Sequence, residues 1–354
     1  MWPLISMVWT MNKSVTDVFD AWWGWPPPVL DPAGPYADDI VVLAWALFAM
    51  GVVVTGIVVA ALYVAIRGPA RLKAKLGGET LVWIGGVAFP GVVLTALLVW
   101  GLWLTSSLTQ PVPGGAMRVR VTGYMWWFDV EYLGPDGDVI RRDANELHIP
   151  VGRPVVVELH SQDVIHSFWV PNLSGKEDMI PGRTNALVIE ADRAGRFGGV
   201  CAEYCGGPHA LMGFVTVAHD PADWRAWAGG RRMAPPTIAE QDVPGTVPAL
   251  RPAAAERASD APIAASGRAL FMESGCAACH RVAGTEANGI AGPDLTHVGS
   301  RLTLGAGILP NNRGTMIGWI GDSQSIKPGN RMPSYDMLSA DELTAIAIWL
   351  EEQR

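Results

Sequence analysis

Two long stretches of this chain carry no charge at all, and they limit its fold more than any other feature. Ile40–Ile66 runs for 27 residues and Thr80–Leu104 for 25 without Asp, Glu, Lys or Arg. About 20 apolar residues cross the hydrocarbon core of a bilayer. A buried helix of a soluble domain rarely stays apolar on every face beyond ~14 residues. A transmembrane hairpin is therefore expected. Its connector holds Arg67, Arg71, Lys73 and Lys75 against Glu79, whereas the first 39 residues hold Lys13 against Asp17, Asp20, Asp31, Asp38 and Asp39. Basic residues stay on the cytoplasmic side, so the connector is expected inside and both ends outside. The N-terminus lacks a basic region followed by a short apolar core and a small-residue cleavage site, so no signal peptide is expected.

Whatever follows residue 105 then works on the outer face. The net charge of −8 gives no reason to expect nucleic-acid binding. The 16 tryptophans suit a protein with membrane interfaces. From Met117 to about Asp220, "MRVRVTGYMWWFDVEYL", "RPVVVELHS", "TNALVIEAD" and "GFVTVAH" read as short strands between Gly, Pro, Asn and Asp turns. That spacing predicts an all-β sandwich or barrel. Residues 229–263 are rich in Pro, Ala and Arg and read as a linker. A helical unit follows, with a capping box at Ser339 and Glu342 before Leu343, Ile346, Trp349 and Leu350. The expected organisation is thus an extracytoplasmic segment (1–38), the hairpin (39–105), a β domain (106–228), the linker (229–263) and a helical domain (264–354).

All four cysteines fall in two short clusters, and neither resembles a spread-out disulfide framework. "CAACH", Cys276–His280, is a haem attachment signature: two thiols bind the vinyl groups and the adjacent His280 becomes the proximal iron ligand. A redox-active dithiol would need a βαβ context, which is missing. For the sixth ligand Met332, Met337 and Met316 compete. Met316 sits in an apolar stretch that reads as core, and Met337 lies close to the start of the last helix. Met332, in "NRMPSY", resembles the class I cytochrome c pattern in which the ligand precedes a proline. "AGPDLTHVGSR" is similar to the same family, where Pro293 would pack beside the haem. His297 is an alternative iron ligand in principle, but the resemblance implies a structural role.

The other cluster is "CAEYCGGPHALM", Cys201–Met212. Zinc favours tetrahedral thiolate and imidazole sets. Adding a thioether favours copper. "DVIHSFWVP" supplies His166, 35 residues before Cys201. A blue-copper site needs one cysteine, so the second asks for a reason. Two thiolates can bridge two coppers, each capped by one imidazole. A Cys201–Cys205 disulfide is the simpler competing reading. His148, His160 and His219 carry no such pattern and read as ordinary strand or loop residues.

With "HSFWVP", "IPGR" and "CAEYCG" on a β domain behind a two-helix hairpin, residues 39–228 resemble subunit II of cytochrome c oxidase. The helical tail resembles a fused class I cytochrome c domain, as in caa3-type oxidases. The implied fold is a multi-domain membrane protein made of a transmembrane hairpin, a cupredoxin-like β-barrel and an α-helical cytochrome c domain. The resemblance implies a dinuclear CuA centre bridged by Cys201 and Cys205 and capped by His166 and His209. Met212 would be a weak ligand and Glu203 would offer its backbone carbonyl. The Glu203 carboxylate would reach a magnesium ion at the boundary with subunit I. "GYMWWFDVEY" resembles the family's aromatic stretch, with Trp126 where electrons enter CuA. It departs from that stretch at Met125, where the family has Gln, and at Phe128, where it has Trp. Glu79 stands four residues before Trp83 rather than three, and reads either as a proton-channel carboxylate or as a helix-end charge.

The implied function is electron transfer from an external donor, cytochrome c or a quinol-oxidising complex, through covalent haem c and CuA to subunit I. Oxygen reduction and proton translocation would belong to subunit I, because this chain has too few spans and no intramembrane histidines. Other oxidase subunits and the bacterial cell membrane are the remaining implied partners. Competing readings are a CuA and haem c subunit of a nitric oxide reductase, and a membrane-anchored copper chaperone or sensor. A chaperone has no use for a second one-electron centre.

Overall fold

The computed structural model describes residues 28–108, 114–230 and 254–354. The expectations for the first 27 residues and for residues 231–253 of the linker lie outside them.

Among the described residues two helical stretches are long and apolar enough to cross a membrane, Pro35–Arg67 and Glu79–Ser106. The first is helix α1 (Pro35–Arg67), followed by the short basic α2 (Ala70–Leu76). The second starts as α3 (Glu79–Trp83), widens into one π-helical turn over Ile84–Ala88, and continues as α4 (Phe89–Leu108). Pro90 accounts for the widening. It has no N–H to give, and its ring would collide with the carbonyl four residues back. Apolar side chains such as Phe48, Val53, Val82, Val92 and Leu102 are left uncovered. A helix that is apolar all round suits lipid, not water. Glu79 is the first residue of α3, where a carboxylate meets the positive end of the helix dipole.

The β domain is a sandwich of two five-stranded sheets. One holds β1 (Met117–Tyr124), β2 (Trp127–Leu133), β3 (Val139–Ala144), β5 (Val155–Ser161) and β8 (Asn185–Ile189), in the order β3-β2-β1-β5-β8. The other holds β4 (Glu146–Pro150), β6 (His166–Trp169), β7 (Lys176–Met179), β9 (Gly195–Cys201) and β10 (Gly213–His219), in the order β4-β10-β9-β6-β7. The pairs β1/β5 and β10/β4 are parallel and the rest antiparallel. Alternation decides the facing: Val119 and Val121 of β1 point into the core, while Arg118 and Arg120 do not. Phe214 sits between Phe128 and Phe168, with centroids 5.0 and 4.7 Å away, and forms the centre of that core.

Helix α5 (Pro221–Ala228) closes the β domain, and its Trp227 packs edge-on against Tyr132. Helix α6 (Ala254–Glu273) begins inside the stretch read as linker. The Pro and Ala content that suggested a linker hid the high helix propensity of alanine. The helical domain continues with α7 (Arg313–Gly321), α8 (Ser323–Ile326) and α9 (Ala340–Glu351). The capping box at α9 forms as read: Ser339 Oγ accepts from the Glu342 N–H, and Glu342 returns a bond to the Ser339 N–H. Ile346, Trp349 and Leu350 are buried, with Trp349 4.9 Å from Phe271 of α6. At that crossing Gly267 packs directly on the Ala345 carbonyl, where a Cβ would lie 1.9 Å from the oxygen.

Candidate metal and haem centres

Strands β6, β9 and β10 bring the first cluster together. Cys201 ends β9, Gly213 begins β10, and the intervening loop is closed by the Cys201 N–H on the Met212 carbonyl at 3.0 Å. Glycines 206 and 207 take positive φ, which lets the loop turn back on itself. His166 opens β6 and is fully buried. Its Nδ1 lies 3.8 Å from Cys201 Sγ, and His209 Nδ1 lies 3.4 Å from Cys205 Sγ. The two sulfurs are 3.8 Å apart, and Met212 Sδ is 3.8 Å from Cys205 Sγ. Each thiol therefore faces its own imidazole. The Glu203 carbonyl is 3.2 Å from Cys201 Sγ, while the Glu203 carboxylate points away, 3.9 Å from Lys176 Nζ.

The sulfur–sulfur hydrogen bond, aided by His166, draws Cys201 down to about 4 and pushes Cys205 up. Burial opposes a charge on His166, but hydrogen bonds to Cys201 and Asp163 outweigh it and raise its pKa. Asp163 Oδ1 holds His166 Nε2 at 2.8 Å, leaving Nδ1 to face the sulfurs. A carboxylate behind a ligating imidazole orients it and raises its basicity. The set of two thiols, two imidazoles, a thioether and a carbonyl fits soft copper, and its paired arrangement fits two ions better than one.

Two residues at this site, Gly123 and Asp163, had been given no role from the sequence. Gly123 packs against the His166 ring, where a Cβ would fall 2.8 Å from Cδ2. A glycine inside a strand was the available signal. Asp163 lies three residues before His166, a spacing that only acquires meaning once the turn is known. Trp126 was read as the place where electrons enter; its indole N–H is shared between the Cys205 and Gly206 carbonyls, both at 3.1 Å. Gly207 lies directly beneath that ring.

The second cluster opens on a cavity of about 390 Å³ lined by Cys276, Cys279, His280, Pro293 and Met332. The His280 Nδ1–H donates to the Pro293 carbonyl at 2.8 Å, which leaves Nε2 free for a metal. Burial lowers the His280 pKa, which favours the neutral form of the ring that a metal ligand needs. The cavity, its paired thiols and the fixed imidazole fit a haem. Met316 also lines the cavity but is only 2 % exposed within α7, whereas Met337 is 72 % exposed and lies outside the lining. The Met332 carbonyl is held by Ser323 Oγ and Gln324 Nε2 at 2.8 and 2.6 Å. His297 lies outside the lining too, with a buried Nδ1 that has no partner among the described residues.

The remaining wall of this cavity comes from the β domain, through Tyr124, Met125, Trp126 and Trp127. The two domains are joined by a buried ion pair, Arg301 Nε to Asp143 Oδ1 at 2.6 Å, and by the Leu302 N–H on Glu146 Oε2 at 2.7 Å. Behind Glu146 stand His148 and His219, which share a 2.7 Å hydrogen bond. Both remain strand residues, as read. Burial, with His148 beside it, lowers His219 to about 3.

Two family models match: the periplasmic domain of cytochrome c oxidase subunit II over residues 135–218, and cytochrome c over residues 264–354. A cytochrome c oxidase subunit 2 from Alkalihalophilus pseudofirmus is 34 % identical over 332 residues, which are 91 % of this chain and 89 % of that one. This chain belongs to the cytochrome c oxidase subunit 2 family. The subunit 2 of Bacillus subtilis is 30 % identical over 91 % of this chain and 90 % of its own length. The solved periplasmic domain of subunit II from Bradyrhizobium japonicum covers 34 % of this chain and 96 % of itself, at 28 % identity and TM-score 0.31. This subunit 2 carries a cytochrome c domain at its C-terminus, is anchored in a membrane, and serves electron transfer.

Proposed function

We propose that this subunit carries electrons from an external donor, through a covalent haem c and a dinuclear CuA centre, to oxidase subunit I. Oxygen would be reduced to water there, coupled to proton translocation. The observation that supports this most is the pairing in the copper loop: two sulfurs 3.8 Å apart, each facing a separate imidazole. When bound, the copper pair and the haem each supply a one-electron redox centre. Cys201, Cys205, His166 and His209 would hold the copper pair, with Met212 and the Glu203 carbonyl as the further donors. Cys276 and Cys279 would anchor the haem, and His280 and Met332 would hold its iron. Glu203 would offer its carboxylate to magnesium once subunit I is in place. Asp163 keeps His166 in one tautomer, and the Pro293 carbonyl does the same for His280.

Trp126 is the natural conduit between the centres. Its segment walls the haem cavity, and its indole bonds the backbone of the copper loop. Rigid supports limit how far the ligands move when charge arrives. The basic connector Arg67–Glu79 would lie in the cytoplasm and the redox domains outside, within reach of cytochrome c or a quinol-oxidising complex.

Metal analysis of the purified chain tests this reading. It should contain two coppers and one haem that resists acid–acetone extraction. A single copper with a free thiol at Cys205 would sink the dinuclear assignment, and an extractable haem would sink the covalent one.

A further inference from the structure

Lys327 is only 3 % exposed, and among the described residues no carboxylate pairs with it. Its ammonium donates to two carbonyls, Trp126 at 2.8 Å and Gly305 at 3.0 Å. Desolvating an ammonium costs several kcal/mol, and neutral carbonyls offset only part of that. Burial lowers this lysine to about 7. A surface loop would have been an easier place for it, so its location asks for a reason.

Both acceptors adjoin the redox sites. The Trp126 indole is bonded to the carbonyls of Cys205 and Gly206. Ala306, next to Gly305, accepts at 3.0 Å from the N–H of Gly213, the residue after Met212. Trp126, Gly305 and Lys327 all line the cavity that holds His280 and Met332. Five residues before Met332, Lys327 thus touches the haem side and the copper side at once. A second tie runs from Arg331 to Asp163, the carboxylate behind His166, but at 3.9 Å with Arg331 exposed it is the weaker one.

We infer that Lys327 is a positioning residue whose ammonium ties the cytochrome domain to the backbone of Trp126 and fixes the gap that electrons cross from haem to copper. This inference rests on the functional reading above. It assigns Lys327 no redox role of its own; no bond is made or broken at its nitrogen. What it contributes is a fixed distance.

The test uses the full chain in the purified oxidase. Haem is reduced by a laser-flash photoreductant, and the arrival of the electron at copper is followed in the near-infrared. Lys327→Met keeps the aliphatic stem and removes the donors. Its haem-to-copper rate should fall several-fold, with haem and copper spectra and midpoint potentials unchanged. A rate within about twofold of wild type overturns the inference, whether or not the melting temperature drops, because a merely structural lysine moves stability and leaves the rate alone. Should Lys327→Met lose its haem spectrum, Lys327→Gln, which keeps a neutral donor, is measured against the same two thresholds. Wild-type protein without a copper signal would refute the functional reading instead, and the variants bear on Lys327 alone.

Discussion

Gly123→Ala is the sharpest available probe of the copper cradle. An added Cβ would lie 2.8 Å from His166 Cδ2, 2.9 Å from Cγ and 3.2 Å from Cβ. Carbon atoms prefer about 3.5–4.0 Å, so the ring or the strand must retreat by roughly 0.7 Å. Neither can do so freely. Gly123 is registered against Phe128 on one side and Ser161 on the other, and His166 is registered against Met179 and held at Nε2 by Asp163. Overpacking of this kind costs about 1–3 kcal/mol. Expressed as metal affinity, that is a loss of roughly fivefold to 150-fold. A competition titration of copper on the purified chain reads the affinity, and a thermal melt without metal separates general destabilisation from damage to the site. Affinity within threefold of wild type together with an unchanged melt would show that Gly123 does not abut the imidazole, and the description of the cradle would fail.

Met332→Leu should abolish the near-infrared sulfur-to-iron band and lower the haem potential, since a thioether ligand raises it; Met337→Leu should do neither, and the reverse pattern would reassign the ligand. Gly267→Ala forces α6 and α9 apart at the Ala345 carbonyl, costing about 3 kcal/mol or more and lowering the melting temperature of the cytochrome domain by roughly 12–24 °C; a melt unchanged within 2 °C, read by haem absorbance, would refute the close crossing. His219 stays neutral in the fold down to about 3, while an unfolded histidine protonates near 6.5. The unfolded chain therefore binds more protons between those values, and stability falls by several kcal/mol as pH drops from about 6.5 towards 3. Denaturant titrations across that range should show a shallower slope in His219→Gln; an identical slope would remove His219 as the cause.

How much of this was legible in the sequence depended on whether the signal was local. The charge-free runs, the two cysteine clusters and the Ser339–Glu342 cap are local, and they appear in the structure where they were read. Strand β7 has the sequence Lys-Glu-Asp-Met and β9 is rich in glycine. Neither has intrinsic strand character; both are extended because their neighbours in the sheet complete their hydrogen bonds. Lys327 is the extreme case. Nothing in "SIKPGN" marks a buried cation, because its partners lie 201 and 22 residues away. Asp143 and Arg301, 158 residues apart, were equally invisible, since each is an unremarked charge until the two domains meet.

The shared wall of the haem cavity has a consequence for how this protein can be taken apart. Tyr124, Met125, Trp126 and Trp127 face the same space as His280 and Met332. Cutting the chain between the domains would replace that aromatic face with water. Solvent exposure and local polarity are among the levers that set a haem's potential, so a cytochrome domain produced alone is a different electrochemical object from the one in the intact chain. Potentials measured on the excised piece describe the excised piece. A driving force for the internal electron step, calculated from two separately purified halves, would carry the error of both new surfaces.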